Sequence, residues 1–394
     1  MPAVRKVIPD GFWSEIGSHL IFNLFFIEAF LPLRFKRDET AAGAERFSFW
    51  LNLAELAGDF YHGCVMSRFF IGIPFLNLVS AAGILSLLLT ALFSFQSVLS
   101  AQLFPGQDAV PETQTTGGIF LWQDVLFFQE WHIQHSILTG EYRLLDPAAV
   151  CRAAGSREFC EKVLTKRREQ LAIPPMSGKI LVLLHGFASG PILLENMALW
   201  FRKQGEYSAV INAAYPSLFL TVGEQVEKFD LLIRPILELD KVEKIDFVGH
   251  SMGAIVLRCW LGKWTREDGT SPADDPKIGR LVQLCPPNQG SSIAMTHNMG
   301  PIGLLFAPLD DLSMNGKQMK EKFGIPKCDF GVIAGVEEGE DFYGEESDAV
   351  LPVSTTHLDG EKDWMKIKGS HSAIPNRIET FENVRAFLND GKFL

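Results

Sequence analysis

Ser251 lies in Gly249-His250-Ser251-Met252-Gly253, between the apolar runs Ile245–Val248 and Ala254–Leu257. That pattern predicts a short strand, a tight turn and a helix, with the serine on the turn. A serine placed there is held at strained backbone angles, and the glycines on either side let strand and helix pass close to each other. Its hydroxyl then projects to where a substrate carbonyl can reach it. A serine hydroxyl is a weak nucleophile at neutral pH and needs a base held in place by an acid.

The chain offers nine histidines as bases. His371, in Lys368-Gly369-Ser370-His371-Ser372, follows the last strand-like run and precedes the last helical one. That position brings it to the carboxyl edge of a sheet, beside the serine turn. His357, before the last run, is its rival. For the acid the choice falls on Asp348, because Val350-Leu351-Pro352-Val353 can anchor its loop against a core. Glu345 and Glu346 have no apolar anchor immediately after them, and Asp341 lies further off; these read as a solvated face. The first strand ends in His185-Gly186-Phe187. A glycine there lets the N–H of Phe187 turn inward, and Met252 supplies a second N–H directly after the serine. Two such donors can hold the oxyanion of a tetrahedral intermediate. The alternative is that His185-Gly186 is a simple strand-ending turn. His185 is expected to buttress the loop rather than act as base.

These residues must be positioned by alternating elements. Strand-like runs are Ile180–Leu184, Ala209–Asn212, Ile245–Val248, Leu281–Leu284, Phe330–Ala334 and Trp364–Ile367. Helical patterns lie near Leu193–Arg202, Val222–Leu239, Ala254–Trp264 and Ile378–Leu388. Strand alternating with helix predicts an α/β domain over 178–394, a mostly parallel sheet with helices on both faces.

The order Ser251, Asp348, His371 resembles that of the α/β-hydrolase superfamily, lipase and esterase group, over residues 178–394. The carriers are His185-Gly186-Phe187, the Gly249–Gly253 turn, Pro286-Pro287-Asn288-Gln289-Gly290-Ser291, Ser347–Val353 and Ser370-His371-Ser372. Two positions depart from the pattern: Ala349 and Ala254 stand where many relatives have glycine. The resemblance implies hydrolysis of carboxylic esters through an acyl-enzyme, with no metal and no organic cofactor.

The rest of the 394-residue chain reads differently. The whole chain is 47% hydrophobic, with a mean hydropathy of +0.11. Between Arg68 and Asp108 there is no charged residue and no histidine, and the stretch Leu76–Leu99 is long enough for a bilayer-spanning helix. A buried pair of core helices is the alternative. A second apolar run, Ile16–Leu33, carries His19, Asn23 and Glu28, and either spans or lies in the interface. Residues 1–110 are therefore expected to form a hydrophobic helical membrane-anchoring region. Arg34, Lys36, Arg37, Arg46 and Arg68 precede the long stretch and acids follow it, so the catalytic domain is expected on the non-cytoplasmic side of a single- or two-pass arrangement. The net charge of −11 argues against a nucleic-acid partner.

Residues 111–177 are expected to form a helical linker, with Phe120–Ile137 an amphipathic, aromatic-rich helix. His132 and His135, three apart, could share a helical face, but no third metal ligand is evident nearby. Cys151 and Cys160 are the candidates for a disulfide if this region lies outside the cytoplasm. A cap is expected near 291–327, rich in Met295, Met299, Leu304, Leu305, Phe306, Leu309, Leu312 and Met314; an ordinary helical layer over the sheet fits as well. The expected function is a membrane-associated serine hydrolase acting on a lipid or small ester. Alternatives are an acyltransferase, a thioesterase, or a catalytically idle interaction module on a membrane anchor. Protein partners are left open.

Overall fold

The computed structural model describes residues 108–119, 121–291, 306–339, 341, 342 and 344–394. The apolar runs Ile16–Leu33 and Leu76–Leu99 lie outside them, as do Met295, Met299, Leu304 and Leu305. Among the described residues no helix is long and apolar enough to cross a membrane.

The short apolar runs from Lys179 onward form strands, buried on both faces in the middle of the sheet and only partly covered at the edge strand Asp363–Lys368. They are β6 (Gly178–Leu184), β7 (Ala209–Ala213), β8 (Val242–His250), β9 (Ile278–Leu284), β10 (Phe330–Val336) and β11 (Asp363–Lys368). All six pair in parallel, in the order β11-β10-β9-β8-β6-β7. Alternate side chains serve opposite faces. Ile180, Val182 and Leu184 join one core cluster, while Leu181 and Leu183 join another. Full burial of such a side chain is worth ~1.5–3 kcal/mol, which is why Ile180–Leu184 carries no polar residue.

The helical patterns fall between them as expected: α2 (Glu195–Gln204), α3 (Val222–Leu237), α4 (Met252–Gly262) and α7 (Ile378–Asp390). Phe229 and Ile233 of α3 and Trp260 of α4 pack on one face of the sheet, and Phe201 of α2 and Phe387 of α7 pack on the other. Two short helices, α5 (Pro308–Leu312) and α6 (Gly316–Phe323), complete the first layer. Their Leu312, Met319 and Phe323 are buried in it, so the described part of the expected cap behaves as a helical layer over the sheet.

Residues 111–177 correct the sequence expectation of a helical linker. They form a five-stranded antiparallel sheet, β1-β5-β4-β3-β2, from β1 (Thr113–Gln114), β2 (Trp122–Phe128), β3 (Trp131–Ser136), β4 (Tyr142–Leu145) and β5 (Val150–Gly155). A single helix, α1 (Arg157–Gln170), covers it and is capped by Ser156, whose hydroxyl accepts from the Phe159 N–H. The segment read as one amphipathic helix is instead the β2–β3 hairpin, with Phe128 opposite Trp131. Its aromatic residues alternate across the sheet, and Gln129 makes the turn at φ +54°. His132 and His135 consequently point to opposite faces, not to a common one. His132 bonds Asp124, whereas His135 stacks near Tyr142. Cys151 on β5 and Cys160 on α1 are both buried free thiols.

Candidate active site

The chain enters the parallel sheet at β6, runs out to the edge at β7, then crosses back to β8 on the other side of β6. At such a switch point the loops leaving two neighbouring strands diverge and open a crevice at their carboxyl ends. Those neighbours are β6 and β8, in register with Leu184 beside Gly249. The loop after β6 is His185-Gly186-Phe187, and the turn after β8 carries Ser251.

Ser251 adopts φ +53°, ψ −123°, a strained conformation for a residue with a side chain. The flanking glycines are required by close approach. A Cβ on Gly253 would lie 2.3 Å from the carbonyl oxygen of His185, and one on Gly249 would lie 2.6 Å from Cα of Ala254. Gly186 is packed directly against the serine, since a Cβ there would sit 3.0 Å from Ser251 Cβ. Met252 opens α4, so its N–H has no acceptor within the helix, and the positive end of the helix dipole adds to it.

His371 and Asp348 meet at the same edge. Nδ1 of His371 lies 2.7 Å from Oδ2 of Asp348, and both side chains are largely buried. A carboxylate accepts, so Nδ1 carries the proton and Nε2 is left as an acceptor. The other oxygen of Asp348 accepts from the N–H groups of Val350 and Leu351 at 3.0 and 2.7 Å. Burial pushes the Asp348 carboxyl up, but the His371 hydrogen bond and charge and these two N–H donors outweigh it and hold it below the usual carboxylate range. Val350 and Leu351 thus fix the Asp348 loop through their N–H groups, with the Leu351 side chain buried.

The rivals stand elsewhere. His357 pairs with Glu361 at 2.6 Å and stacks on Trp364. Glu345 and Glu346 are exposed and are engaged by Ser354 and Lys366. Neither histidine near the serine competes for the proton. Burial lowers His185 to about 4. Burial, then the charge of His371, lowers His250 to about 3. His250 Nε2–H donates to the His371 carbonyl at 2.9 Å, tying the Ser251 turn to the His371 loop.

Several site residues left little trace in the sequence. Cys285, just beyond β9, is fully buried at φ +47°. Burial, then the charge of Asp348 and a hydrogen bond to it, keeps it a thiol. One donor atom each from His250, Cys285 and His371 lie within 4.8 Å of one another, so the thiol belongs to the same cluster. Arg258 on α4 is buried without a carboxylate and donates to the carbonyls of Asn288 and Gly324 at 2.9 and 2.8 Å. Asn288 in turn donates to Gln283 and to the Thr356 carbonyl. The Pro-Pro-Asn-Gln-Gly-Ser segment is therefore a structural knot behind the site. Tyr215, after β7, donates to the His185 carbonyl at 2.5 Å. Its position in a loop at the carboxyl edge was the available signal.

A parallel sheet covered on both faces, a strained serine between strand and helix at the switch point, and a later acid and histidine together define the architecture. This is an α/β-hydrolase fold. No protein-family model and no curated protein matches the chain. Among solved structures, the mature form of Bacillus licheniformis lipase BlEst2 is similar over 54% of this chain and 91% of its own, at 16% identity and a TM-score of 0.43. The lin2722 gene product of Listeria innocua is similar over 54% of this chain and 94% of its own, at 12% identity and a TM-score of 0.40. Phospholipase PlaB of Legionella pneumophila matches at 20% identity and a TM-score of 0.35, and this chain spans only 45% of its length.

Proposed function

We propose that the chain is a serine hydrolase of carboxylic esters. The observation that carries this is the Asp348–His371 pair at 2.7 Å, set at the sheet edge that holds the strained Ser251 turn. Ser251 attacks the ester carbonyl while Nε2 of His371 takes its proton. The N–H groups of Phe187 and Met252 receive the oxyanion. His371 returns the proton to the departing alcohol, and water, activated by the same nitrogen, releases the acid from Ser251. Asp348 holds the tautomer throughout and stabilises the imidazolium. His185 and His250 stay neutral, so His371 is the histidine that changes charge.

The substrate we infer is a lipid ester acting at a membrane surface. Phe187 of the oxyanion loop meets Phe306 edge to face at 6.2 Å, an apolar contact suited to an acyl chain. The uncharged stretch between Arg68 and Asp108 supplies an anchor, with the catalytic domain on the non-cytoplasmic side. Protein recovered in the aqueous fraction without detergent would remove the anchor from this proposal.

The deciding experiment is mass-spectrometric mapping of a fluorophosphonate adduct on the full chain. The expected adduct is on Ser251, and it is lost in His371→Ala. Folded protein that takes up no label would favour an idle interaction module. Transfer of the acyl group to an added alcohol would make the enzyme an acyltransferase, and preference for a thioester would make it a thioesterase.

A further inference from the structure

We propose that the antiparallel sheet before the hydrolase core is a positioning element of the active site: Asp124 fixes the turn after β7, and Tyr215 in that turn holds the oxyanion loop. The proposal rests on Ser251 as nucleophile and Phe187 as an oxyanion donor.

Asp124 sits on β2 and is 1% exposed. A carboxylate this deep is costly unless it is fully hydrogen-bonded. Two of its donors belong to its own sheet: His132 Nδ1 at 2.7 Å and Gln134 Nε2 at 2.9 Å, both to Oδ1. The other oxygen reaches out of that sheet and accepts the Ala214 N–H at 2.5 Å. The Asp124 N–H donates to the Ala214 carbonyl at 3.0 Å. One residue of the antiparallel sheet thus holds both polar groups of the residue that follows β7.

The next residue is Tyr215. Its ring stacks on the His185 imidazole with centroids 4.3 Å apart, and its hydroxyl donates to the His185 carbonyl. That carbonyl is crowded on its other side by the start of α4, as the required absence of a Cβ at Gly253 shows. Two residues further on, the Ser217 hydroxyl accepts from Ser189 N–H at 3.4 Å and faces the Ser189 carbonyl at 3.3 Å. The turn therefore grips the oxyanion loop at both ends.

His185 transmits the grip. Its Nδ1 lies 2.9 Å from the Gly186 carbonyl, which can only accept. The Gly186 carbonyl and the Phe187 N–H are opposite ends of one planar peptide. Fixing that carbonyl fixes the direction of the oxyanion donor. The path from Asp124 to Phe187 runs through Ala214, Tyr215 and His185, each joined to the next by a hydrogen bond, a ring stack or the chain.

Tyr215→Phe, Asp124→Asn and the double variant test this in the full chain. Rates on p-nitrophenyl butyrate are taken per site titrated with fluorophosphonate. Loss of a whole oxyanion donor typically costs ~10²–10³ in rate. A misaimed donor is expected to lower kcat about tenfold with KM changed less than about twofold. Phenylboronic acid, which forms a tetrahedral adduct on the serine, should weaken in proportion to kcat/KM. The double variant should fall no further than the worse single one. If Asp124→Asn does not fold, His132→Leu, which removes one donor to the same carboxylate, takes its place. The proposal is overturned if Tyr215→Phe lowers the melting temperature but leaves kcat per titrated site unchanged, or if the two changes multiply. A wild-type chain that neither labels nor turns over removes the nucleophile assignment, and this proposal with it.

Discussion

Asp348 and His371 are joined twice, through Nδ1 and Oδ2 at 2.7 Å and through the His371 N–H and the Asp348 carbonyl at 2.8 Å. The backbone link keeps the two loops together even when the carboxylate is changed. Asp348→Asn should therefore fold with a melting temperature near that of the wild type. Its kcat should fall about 10⁴-fold, because an amide no longer enforces the tautomer or stabilises the imidazolium. Glu345→Gln and Glu346→Gln, at exposed positions, should change kcat less than about twofold. A larger effect at Glu345 than at Asp348 would reassign the acid.

Ala349 has an unusual backbone. It adopts φ +71°, the left-handed region. That conformation costs a residue with a Cβ about 1–2 kcal/mol, while glycine brings back about 0.4–1 kcal/mol of unfolded-state freedom. Ala349→Gly is expected to gain about 0.5–1 kcal/mol in urea unfolding with kcat unchanged, and Ala349→Val to lose more than about 1 kcal/mol. Equal stability of all three would show that the turn relaxes freely.

Arg258 should be a costly residue to remove. Its guanidinium serves the carbonyls of Asn288 and Gly324 from a fully buried position. Arg258→Ala leaves those acceptors unsatisfied and opens a cavity, for a loss of about 3 kcal/mol or more. Arg258→Lys keeps the charge but not the fork, so it should recover only part of this. A urea midpoint for Arg258→Ala close to the wild type would mean that the knot behind the site is held by Asn288 alone.

The buried histidines predict an acid-sensitive fold. His185 and His250 are lowered by burial to about 4 and about 3, against about 6.5 in an unfolded chain. Above pH ~6.5 both states hold these rings neutral, and the stability they confer is complete. Below it the unfolded chain binds protons that the folded chain refuses. Stability should then fall by about 1.4 kcal/mol per pH unit per histidine until the folded values are reached. Asp348, held low, adds stability that is complete above the ordinary carboxyl value of about 3.9 and is lost as pH falls through its lower folded value. Melting temperatures flat between pH 7 and 5 would contradict this.

The parallel sheet was legible because its central strands are apolar on both faces and its helices carry a 3.6-residue apolar period; both patterns are local. The serine turn was legible as a contiguous motif: Gly249 is demanded by the adjoining Ala254, although Gly253 is demanded by the carbonyls of His185 and Leu184, far off in the chain. Asp348 and His371 could be chosen because an edge position follows from strand order, and Val350-Leu351 marks an anchored loop. The β2–β3 hairpin was not legible. Its turn, at Gln129-Glu130, uses neither glycine nor asparagine, and its aromatic residues fit a helix as well as two short strands.

By itself, then, the sequence determined the parallel sheet and the glycine-flanked serine turn, and it singled out Asp348 and His371 as the proposed acid and base. Each is written in residues close together in the chain or in the order of its elements. Only the tertiary structure decided what surrounds them: the Cys285 thiol against Asp348, Arg258 beneath the Asn288 loop, and Asp124 reaching Ala214 across 90 positions of sequence. Those contacts join buried polar groups from distant segments. A polar residue finds its partner only after the apolar faces have packed, and no local pattern records which partner that will be.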